Sequence, residues 1–391
     1  MKVGLLIDDS LDRPDGVQQH VLTLGAWLTE QGHEVHYLTS TTARTDLPRL
    51  HSLGRNLRLR FNGNRLGTPL PARRAEVRAL HAAVGFDVLH VNMPYSPFLA
   101  GRVIAAAPAS TAVVGTFHIL PWSALTRIGT RLLGLLQRRQ LRRFGRVIAV
   151  SEPARAFAAS ALGVDPVVIG NPVDVGRFAA ARPAPEDVAA RSGPVRVVFL
   201  GRLVERKGAG ELLRALAHAR TLPAHDPASL ADTRLDVVVA GTGPLEQTLR
   251  TYVTEHGLAD EVSFPGYVAE EDKAALLASA DVVALPSTGG ESFGISVVEA
   301  LAACPGIVLA GDNPGYRTVM AGLEDQLVDA TDTPTFARVL GRAVTDRDLR
   351  LAAAERQLPQ ALSFDVGTVG RQVVDVYAAA QAAQAPPTLT A

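Results

Sequence analysis

The feature that most constrains the fold is an order of short apolar runs and helical patterns that recurs along the 391 residues. Residues 2–7 predict a buried strand, residues 17–28 carry valines and leucines at helical spacing, and residues 35–38 predict a second strand. This strand–helix–strand order is typical of parallel sheets with helices on their faces. We therefore predict an α/β fold built on parallel sheets.

The same order starts again at Val195, after a stretch that interrupts it. Residues 176–194 contain several prolines and no apolar periodicity beyond alanines, as expected for a linker. We predict two doubly wound, Rossmann-like domains that face each other across a cleft, with ligands at the carboxyl ends of the strands. The predicted segments are a first domain, a linker, a second domain, a helix that packs back on the first domain, and a disordered tail: 1–176, 177–194, 195–365, 366–383 and 384–391.

Composition and charge exclude several classes of function. Lys and Arg total 39 and Asp and Glu total 39, so the net charge of +0 does not indicate nucleic acid as a bulk partner. The single cysteine, Cys304, excludes an internal disulfide framework and a cysteine zinc site. The apolar run at the N-terminus is too short for a signal peptide, and no stretch of about 20 apolar residues lacks charge, so we expect a cytoplasmic protein.

The most informative stretch runs from Ser287 to Glu299 and joins a predicted strand, a glycine-rich turn and a helix. Pro286 ends the strand, two glycines permit an unusual backbone turn, and the helix begins near Gly294. Free backbone amides and the positive end of the helix then face the turn. This combination predicts an anion-binding site.

Two carboxylates, Glu291 and Glu299, bracket the predicted anion site. The acid and base of a glycoside hydrolase need a separation of roughly 5–9.5 Å, whereas eight residues of helix rise about 12 Å. The two glutamates are therefore expected to contact different parts of one long ligand. A nucleotide-sugar, with its diphosphate at the helix end, is a ligand of that kind.

Glu291-Ser-Phe-Gly, followed by Glu299, resembles the E-x7-E signature of retaining GT-B glycosyltransferases of family 4. The longer string 288–294 is similar to that of actinobacterial phosphatidylinositol mannosyltransferases, and the resemblance extends from Lys2 to about Ala379. It implies a GT-B fold whose first domain binds the acceptor and whose second domain binds a nucleotide-sugar. It also implies that Glu291 is catalytic. The donor contacts that it implies in this stretch are Phe293, Gly294, Ile295 and Glu299.

The reaction implied by the resemblance is the transfer of a hexose with retention of configuration. The resemblance favours mannose from GDP-mannose as the donor and a lipid or inositol-type acceptor, such as phosphatidylinositol, at the inner face of the cell membrane. No cofactor and no metal are expected, because cationic side chains and helix dipoles take the place of a metal at the diphosphate. No nucleophile is obvious, so retention implies substitution on one face of the sugar, with the leaving phosphate taking the acceptor proton.

Two further motifs resemble those of the family and supply the other catalytic residues. Arg202 and Lys207 lie in a Gly-Arg…Lys-Gly motif, and their charges would neutralise a diphosphate leaving group; the adjacent Arg206 is an alternative to Lys207. A Thr-Phe-His motif ends at His118, and the histidine of this motif reaches the transferred sugar in relatives. A neutral imidazole can donate a hydrogen bond to a sugar hydroxyl or to developing charge.

Weaker resemblances complete the predicted site. Gly16 stands at a helix start that can approach a phosphate, although the family has Gly-Gly where this chain has Asp15-Gly16. A Gly-x-Gly turn and a segment that lines the base in relatives add the donor contacts Gly241, Gly243, Val268 and Lys273. Two segments add the acceptor contacts Asn62, Arg65 and Tyr95. Residues 93–95 are Met-Pro-Tyr where relatives have Glu-Pro-Asn, and phenylalanine replaces tyrosine at residue 61, so the identity of the acceptor stays open.

Residues 121–146 contain seven arginines and no acidic residue. Several of the arginines and several of the leucines fall on different faces of a predicted helix. One interpretation is contact with an anionic bilayer, which would make the protein peripheral to the membrane. The other is a core-packed helix with a solvated basic face.

Three other functions are compatible with parts of the sequence. A family 4 transferase could instead use UDP-glucose, UDP-N-acetylglucosamine or a soluble acceptor. A nucleotide-binding oxidoreductase is disfavoured because Gly-x-Gly-x-x-Gly is absent after the first predicted strand. A non-catalytic nucleotide-sugar sensor is disfavoured because both cations and both glutamates are present.

Overall fold

The computed structural model describes residues 1–12, 15–54, 56–61, 64–69, 72–93, 96, 98–120 and 124–384, with the backbone alone for 56–61, 64–69, 124–128, 185 and 189. The chain divides into two compact units. The first contains Met1–Pro172 together with the segment from Val366 onward, and the second contains Val173–Asp365. Each unit is built on a parallel sheet, which confirms the predicted fold class.

The first unit alternates strands and helices over most of its length. Its elements are β1 (Lys2–Ile7), α1 (Gly16–Glu30), β2 (Glu34–Thr39), β3 (Leu50–Ser52), β4 (Asn56–Phe61), β5 (Asn64–Pro69), α2 (Arg74–Val84), β6 (Val88–Asn92), α3 (Leu99–Ala106), β7 (Ala112–Phe117), α4 (Ala124–Leu136), α5 (Arg138–Leu141), β8 (Arg146–Ala149), α6 (Glu152–Leu162) and β9 (Val167–Val168). The parallel sheet has the order β3-β2-β1-β6-β7-β8-β9, and β4 and β5 form an antiparallel hairpin.

The central strands of this sheet are buried along their length, because helices cover both faces. In register, Leu5 lies between Tyr37 of β2 and His90 of β6. The chain leaves β1 toward β2 on one side and returns to β6 on the other. The carboxyl ends of strands at such a reversal are where doubly wound sheets bind ligands.

The second unit repeats this plan. Its elements are α7 (Val175–Ala180), α8 (Pro185–Ala190), β10 (Val195–Leu200), α9 (Ala209–Arg220), β11 (Leu235–Ala240), α10 (Glu246–Glu255), β12 (Val262–Gly266), α11 (Lys273–Ala278), β13 (Val282–Leu285), α12 (Ile295–Ala303), β14 (Ile307–Gly311), α13 (Pro314–Val319), β15 (Leu327–Val328), α14 (Thr333–Thr345) and α15 (Arg347–Leu362), with 3-10 turns at Glu205–Lys207 and Glu324–Gln326. The parallel sheet has the order β12-β11-β10-β13-β14-β15, so the reversal falls at β10.

The predicted C-terminal helix occurs as α16 (Val366–Ala382) and belongs to the first unit. Val369, Val373 and Tyr377 are buried in the core that α1 and β7 also form. The ring of Trp27 on α1 packs so closely on Gly370 that an added Cβ would lie 2.4 Å from it. Of the predicted disordered tail, residues 385–391 lie outside the described residues.

The segment predicted as a linker, 177–194, contains helical structure. It contains the end of α7 and all of α8, and the chain passes between the units at Pro172 and Val173 instead. Asp174 caps α7 by accepting a hydrogen bond from the backbone amide of Arg177, and Val175 and Phe178 are buried. Only two side chains of this short helix are buried. A helical spacing of apolar residues therefore cannot be recognised in the sequence among the surrounding alanines.

Candidate active site

The loops that follow β10, β11 and β13 meet at the carboxyl edge of the second sheet. The amide of Leu203 donates to the carbonyl of Thr242 at 2.9 Å, which joins the first loop to the second. The amide of Thr288 donates to the carbonyl of Arg206 at 2.9 Å, which joins the first loop to the third. The predicted cationic motif and the predicted glycine-rich turn are therefore neighbours in the structure.

Two of the predicted donor-binding glycines are required by this close packing. Gly241 has a φ of +137°, and a Cβ there would lie 1.8 Å from the carbonyl oxygen of Gly201. Gly294 has a φ of +123°, and a Cβ there would lie 2.7 Å from the ring of Tyr316. Gly243 also meets backbone, since a Cβ would lie 2.3 Å from the carbonyl oxygen of Leu203.

Glu291 is the centre of a charged cluster in this corner. Its Oε1 lies 2.6 Å from Nη1 of Arg206 and 2.9 Å from Nζ of Lys207, and it accepts a hydrogen bond from Ser287 at 3.1 Å. We call Arg206, Lys207 and Glu291 the cation clamp. Burial acts to raise the pKa of Glu291, but the two cations and the hydroxyl outweigh it and hold the pKa below its usual value.

The sequence predicted Lys207 as the second cation of the motif, with Arg206 as an alternative. In the structure, both side chains contact the same carboxylate oxygen of Glu291. The 3-10 turn at Glu205–Lys207 directs the two consecutive side chains to one point. Arg202, the other predicted cation, lies earlier in the same loop and is exposed. The adjacency of two cations was the available sequence signal, but the fact that both reach Glu291 depends on that turn.

Glu299 lies in a second charged cluster, on the second turn of α12. It is 2% exposed, and its Oε1 is 3.6 Å from Nζ of Lys273, which also lies 2.7 Å from Oε2 of Glu270. Burial raises the pKa of Glu299, and Lys273 opposes that rise. Burial acts to lower the pKa of Lys273, but Glu299 and Glu270 raise it overall. The two glutamates of the signature thus have separate cationic partners.

The remaining predicted donor contacts surround α12 and β12. The ring of Phe293 is buried edge-on against Phe364, with ring centroids 5.1 Å apart, so its side chain serves the packing of the unit. Gly294 begins α12 without a side-chain cap, and Ile295, the first helical residue, is half-buried. Val268 is half-buried in the segment after β12.

His118 follows β7 at the carboxyl edge of the first sheet. It is 7% exposed, and its Nε2 lies 2.8 Å from Oδ1 of Asn92. Burial lowers the pKa of His118 well below its usual value, and the nearby His20 and His90 lower it further. The ring is therefore neutral near pH 7, and a neutral imidazole can still donate a hydrogen bond.

Asp8, at the end of β1, is a buried carboxyl group that the sequence argument did not single out. Its Oδ1 accepts a hydrogen bond from the amide of Ala100 at 2.6 Å, and Oδ2 contacts the hydroxyl of Ser96. Burial raises the pKa of Asp8 from its ordinary value of 3.8 to about 7. An acidic residue at the carboxyl end of a buried strand was the available sequence signal.

The other predictions for the first unit are placed only in part. Gly16 is the first residue of α1, as expected. Asn62 and Tyr95 lie outside the described residues, and Arg65 lies in the hairpin strand β5, where the backbone alone is described. The predicted acceptor contacts therefore stay predictions.

Helix α4 differs from the packing expected for a buried amphipathic helix. Leu132, Leu135 and Leu136 are 58%, 53% and 72% exposed, and Arg131 is exposed beside them. Gly134 faces α6, where a Cβ would lie 2.7 Å from the carbonyl oxygen of Ala161. Within residues 129–136, the helix thus leaves three leucines and Arg131 on the surface.

Among the residues that the structure describes, no three or more His, Cys, Asp or Glu side chains are grouped so as to hold a metal ion. No helix there combines the length and the apolar character needed to span a bilayer.

Solved structures with the same architecture cover nearly the whole chain. A glycosyltransferase from Rickettsia africae has a TM-score of 0.72 at 15% identity and covers 97% of this chain and 98% of its own. The sucrose-phosphate synthase of Thermosynechococcus elongatus has a TM-score of 0.72 at 19% identity and covers 98% and 100%. These likenesses define a protein of the GT-B fold, with two Rossmann-like domains, as predicted.

Sequence comparisons then give the family. The model described as Glycosyltransferase Family 4 matches residues 14–177, and the model described as Glycosyl transferases group 1 matches residues 182–357. The chain is 36% identical over 384 residues to a phosphatidyl-myo-inositol mannosyltransferase of Mycolicibacterium smegmatis, covering 96% of this chain and 93% of the relative. It is 33% identical to the protein of that name from Propionibacterium freudenreichii, covering 97% and 95%. The chain belongs to glycosyltransferase family 4, which confirms the resemblance found in its motifs.

Proposed function

We propose that this glycosyltransferase transfers mannose from GDP-mannose to a phosphatidylinositol-type lipid, with retention of configuration. The observation that carries the proposal is the cation clamp at the reversal point of the second sheet, together with the Lys273–Glu299 pair of α11 and α12. One cluster suits the diphosphate and the sugar, and the other suits the nucleoside. The shared name of relatives that match almost the full chain supports mannose and phosphatidylinositol.

The proposed chemistry uses the clamp to stabilise the leaving group. As the bond between the anomeric carbon and the diphosphate breaks, Lys207, Arg206 and Arg202 neutralise the growing negative charge. The acceptor hydroxyl forms the new bond on the same face, and its proton passes to the leaving phosphate oxygen. Glu291 holds two of these cations until the donor arrives and is then available to the sugar hydroxyls.

His118 is assigned to the transferred sugar. Its neutral ring can hydrogen-bond to a hydroxyl of the sugar. A charged ring would instead add positive charge where the sugar itself becomes positive as its bond to the diphosphate breaks. Glu299 is assigned to the ribose hydroxyls, because it lies one to two turns into α12 and keeps a cationic partner. Val268 is assigned to the base.

The proposed acceptor places the reaction at an anionic membrane surface. Helix α4 supports this, since its exposed leucines and the exposed Arg131 suit the boundary between lipid tails and phosphate groups. The protein would then be peripheral on the inner face of the membrane.

The donor and acceptor are tested in one assay with the full chain. Vesicles containing phosphatidylinositol are mixed with GDP-mannose, UDP-glucose or UDP-N-acetylglucosamine, and the lipid product is analysed by mass and by the anomeric configuration of its sugar. We expect an α-mannosylated lipid from GDP-mannose and none with Glu291→Gln. Transfer from a uridine donor alone, or to free inositol phosphate alone, would overturn the donor or the acceptor. Nucleotide binding without transfer to any acceptor would favour a binding protein.

The same assay tests the absence of a metal from the mechanism. We expect activity to survive EDTA, because the cation clamp neutralises the diphosphate. Complete loss in EDTA that Mg²⁺ or Mn²⁺ restores would overturn this account of the leaving group.

A further inference from the structure

Three buried histidines form a cluster in the first unit, of which the proposed function uses only one. His20 lies on α1, His90 in β6 and His118 directly after β7; we call them the histidine cluster. The rings of His20 and His118 meet edge-on with centroids 4.7 Å apart, and those of His20 and His90 lie 6.0 Å apart. The three side chains are 2%, 7% and 0% exposed, in the order His20, His118 and His90.

The hydrogen bonds of Asn92 fix the proton on His118. Nδ2 of Asn92 donates to the carbonyl of Leu6 at 3.3 Å, so its Oδ1 is the atom that faces Nε2 of His118 at 2.8 Å. An amide oxygen only accepts, so Nε2 of His118 carries the hydrogen. A neutral imidazole has one N–H, which leaves Nδ1 of His118 as an acceptor.

Asn171 joins His20 to the same arrangement. Its Oδ1 lies 2.9 Å from Nδ1 of His20, which must therefore carry the hydrogen of that ring, and Asn171 is also hydrogen-bonded to His118. Nε2 of His20 is buried and has no hydrogen-bond partner among the described residues. An unpartnered buried acceptor is costly, and such groups in native proteins call for a reason beyond packing.

The surroundings of the cluster are polar but uncharged. His90 is held by the hydroxyls of Tyr377 and Thr116, both at 2.6 Å, and the other rings are held by the amides of Asn92 and Asn171. Among the described residues no carboxylate hydrogen-bonds to these rings. Burial therefore lowers the pKa of His20 to about 4 and of His90 to about 3. No carboxylate hydrogen bond from a described residue would stabilise the positive charge of a protonated ring.

We propose that His20 and Asn171 are positioning residues for His118, holding in one orientation the neutral ring whose Nε2–H faces Asn92. This inference rests on the proposed role of His118 in sugar transfer. Without the Nδ1–H of His20, Asn171 keeps only His118 of its two ring partners, and the ring of His118 loses its edge-on neighbour. The sugar would still bind but would react more slowly, because a poorly oriented group contributes less to the reaction.

The direct test is ¹⁵N NMR of the histidine rings in the full chain, with His118 assigned by loss of its signals in His118→Gln. We expect wild-type His118 to show a protonated Nε2 and an unprotonated Nδ1 across neutral pH. In His20→Phe we expect those shifts to change, with the transfer rate lowered about tenfold or more and the affinity for GDP unchanged. His20→Gln, whose amide can donate to Asn171, should restore part of the rate.

His81→Phe is the matched control. His81 is a buried histidine of the same unit whose Nε2 donates to the carbonyl of Val103, away from this cluster. Its replacement should leave the shifts of His118 unchanged. A wild-type His118 protonated on Nδ1, or charged at neutral pH, would overturn the proposal even if His20→Phe does not fold. Unchanged shifts and rate in a folded His20→Phe would also overturn it. A normal rate in His118→Gln would reject the catalytic role of His118, leaving the NMR result to decide the positioning.

Discussion

Two buried carboxyl groups, one at the carboxyl edge of each sheet, have pKa values shifted in opposite directions. In the second unit, the buried carboxylate of Glu291 faces two cations, and its pKa is lowered. In the first unit, the buried carboxyl of Asp8 faces an amide and a hydroxyl, and its pKa rises to about 7. The comparison shows that partners rather than depth decide the charge of a buried group. The second edge suits a polyanion, whereas the first suits uncharged hydroxyl groups.

The largest expected effect is on stability, through Asp8. Its pKa is raised on folding, so the stability it contributes is complete below pH about 4, its unfolded value, and is lost as the pH rises through about 7. A rise from 3.8 to about 7 corresponds to on the order of 4 kcal/mol. Asp8→Asn keeps the acceptor for Ala100 and removes the ionisation, so it should flatten this decline.

Urea denaturation of wild type and Asp8→Asn at pH 5 and pH 8 measures the effect of Asp8. The variant should gain stability relative to wild type as the pH rises. Asp87→Asn is the control, since that aspartate accepts from the exposed amide of Lys2 at 2.7 Å. An equal pH dependence in wild type and Asp8→Asn would show that Asp8 finds charged compensation, and the contrast between the two edges would fail.

The next largest effects separate the two edges by function. Lys207→Met removes a cation that we assign to the leaving group, and His118→Ala removes a hydrogen-bonding group that we assign to the sugar. Each should raise the activation free energy of transfer by about 2.7–4 kcal/mol and so lower turnover. This is the cost of losing one preorganised group at a developing charge. Affinity for GDP should fall in Lys207→Met and stay nearly unchanged in His118→Ala, because the proposed nucleotide contacts belong to the second unit.

Calorimetry with GDP and transfer rates on the same preparations distinguish these variants. Arg214→Ala is a suitable control, because Arg214 is an exposed cation on α9 paired with Glu211 at 2.6 Å. If His118→Ala transfers at the wild-type rate, the histidine is a structural residue at a strand end. If Lys207→Met binds and transfers normally, the clamp does not act on the diphosphate.

A smaller effect concerns the second carboxylate of the signature. Glu299→Ala should weaken donor binding by about 1.5–3 kcal/mol, the value of a hydrogen bond to a charged group. Lys273 keeps Glu270 at 2.7 Å, so the variant does not leave that cation unpaired and should fold. Calorimetry with GDP measures the loss, with the exposed Glu255→Ala as control. Unchanged affinity in a folded Glu299→Ala would remove the ribose assignment.

The sequence predicted what depends on local pattern. Apolar runs and helical spacing are enough to predict the strands and helices of both units. Glycines beside cations are enough to predict the loops at the carboxyl edge of the second sheet. The histidine cluster was not predictable, because strand order brings His90 and His118 beside His20 from distant parts of the chain. The raised pKa of Asp8 depends on its burial at the carboxyl edge of the first sheet. The contact of both Arg206 and Lys207 with Glu291 depends on one 3-10 turn.

The smallest expected effect concerns the surface of the first unit, where α4 departs from the neutral character of the buried edge. If its basic face meets lipid, binding to vesicles should require phosphatidylinositol or phosphatidylserine and weaken with added salt, because exposed charges are screened. Arg131→Gln should weaken binding by about 1 kcal/mol and lower its salt dependence. Leu136→Gln should weaken binding at every salt concentration, since Leu136 is 72% exposed and would act by burying apolar surface. Sedimentation with vesicles measures each, with Arg371→Gln on α16 as the control for lost charge. Equal binding to neutral and anionic vesicles, or none to either, would instead favour a solvated helix face. In that case α4 would play no part in bringing phosphatidylinositol to the site.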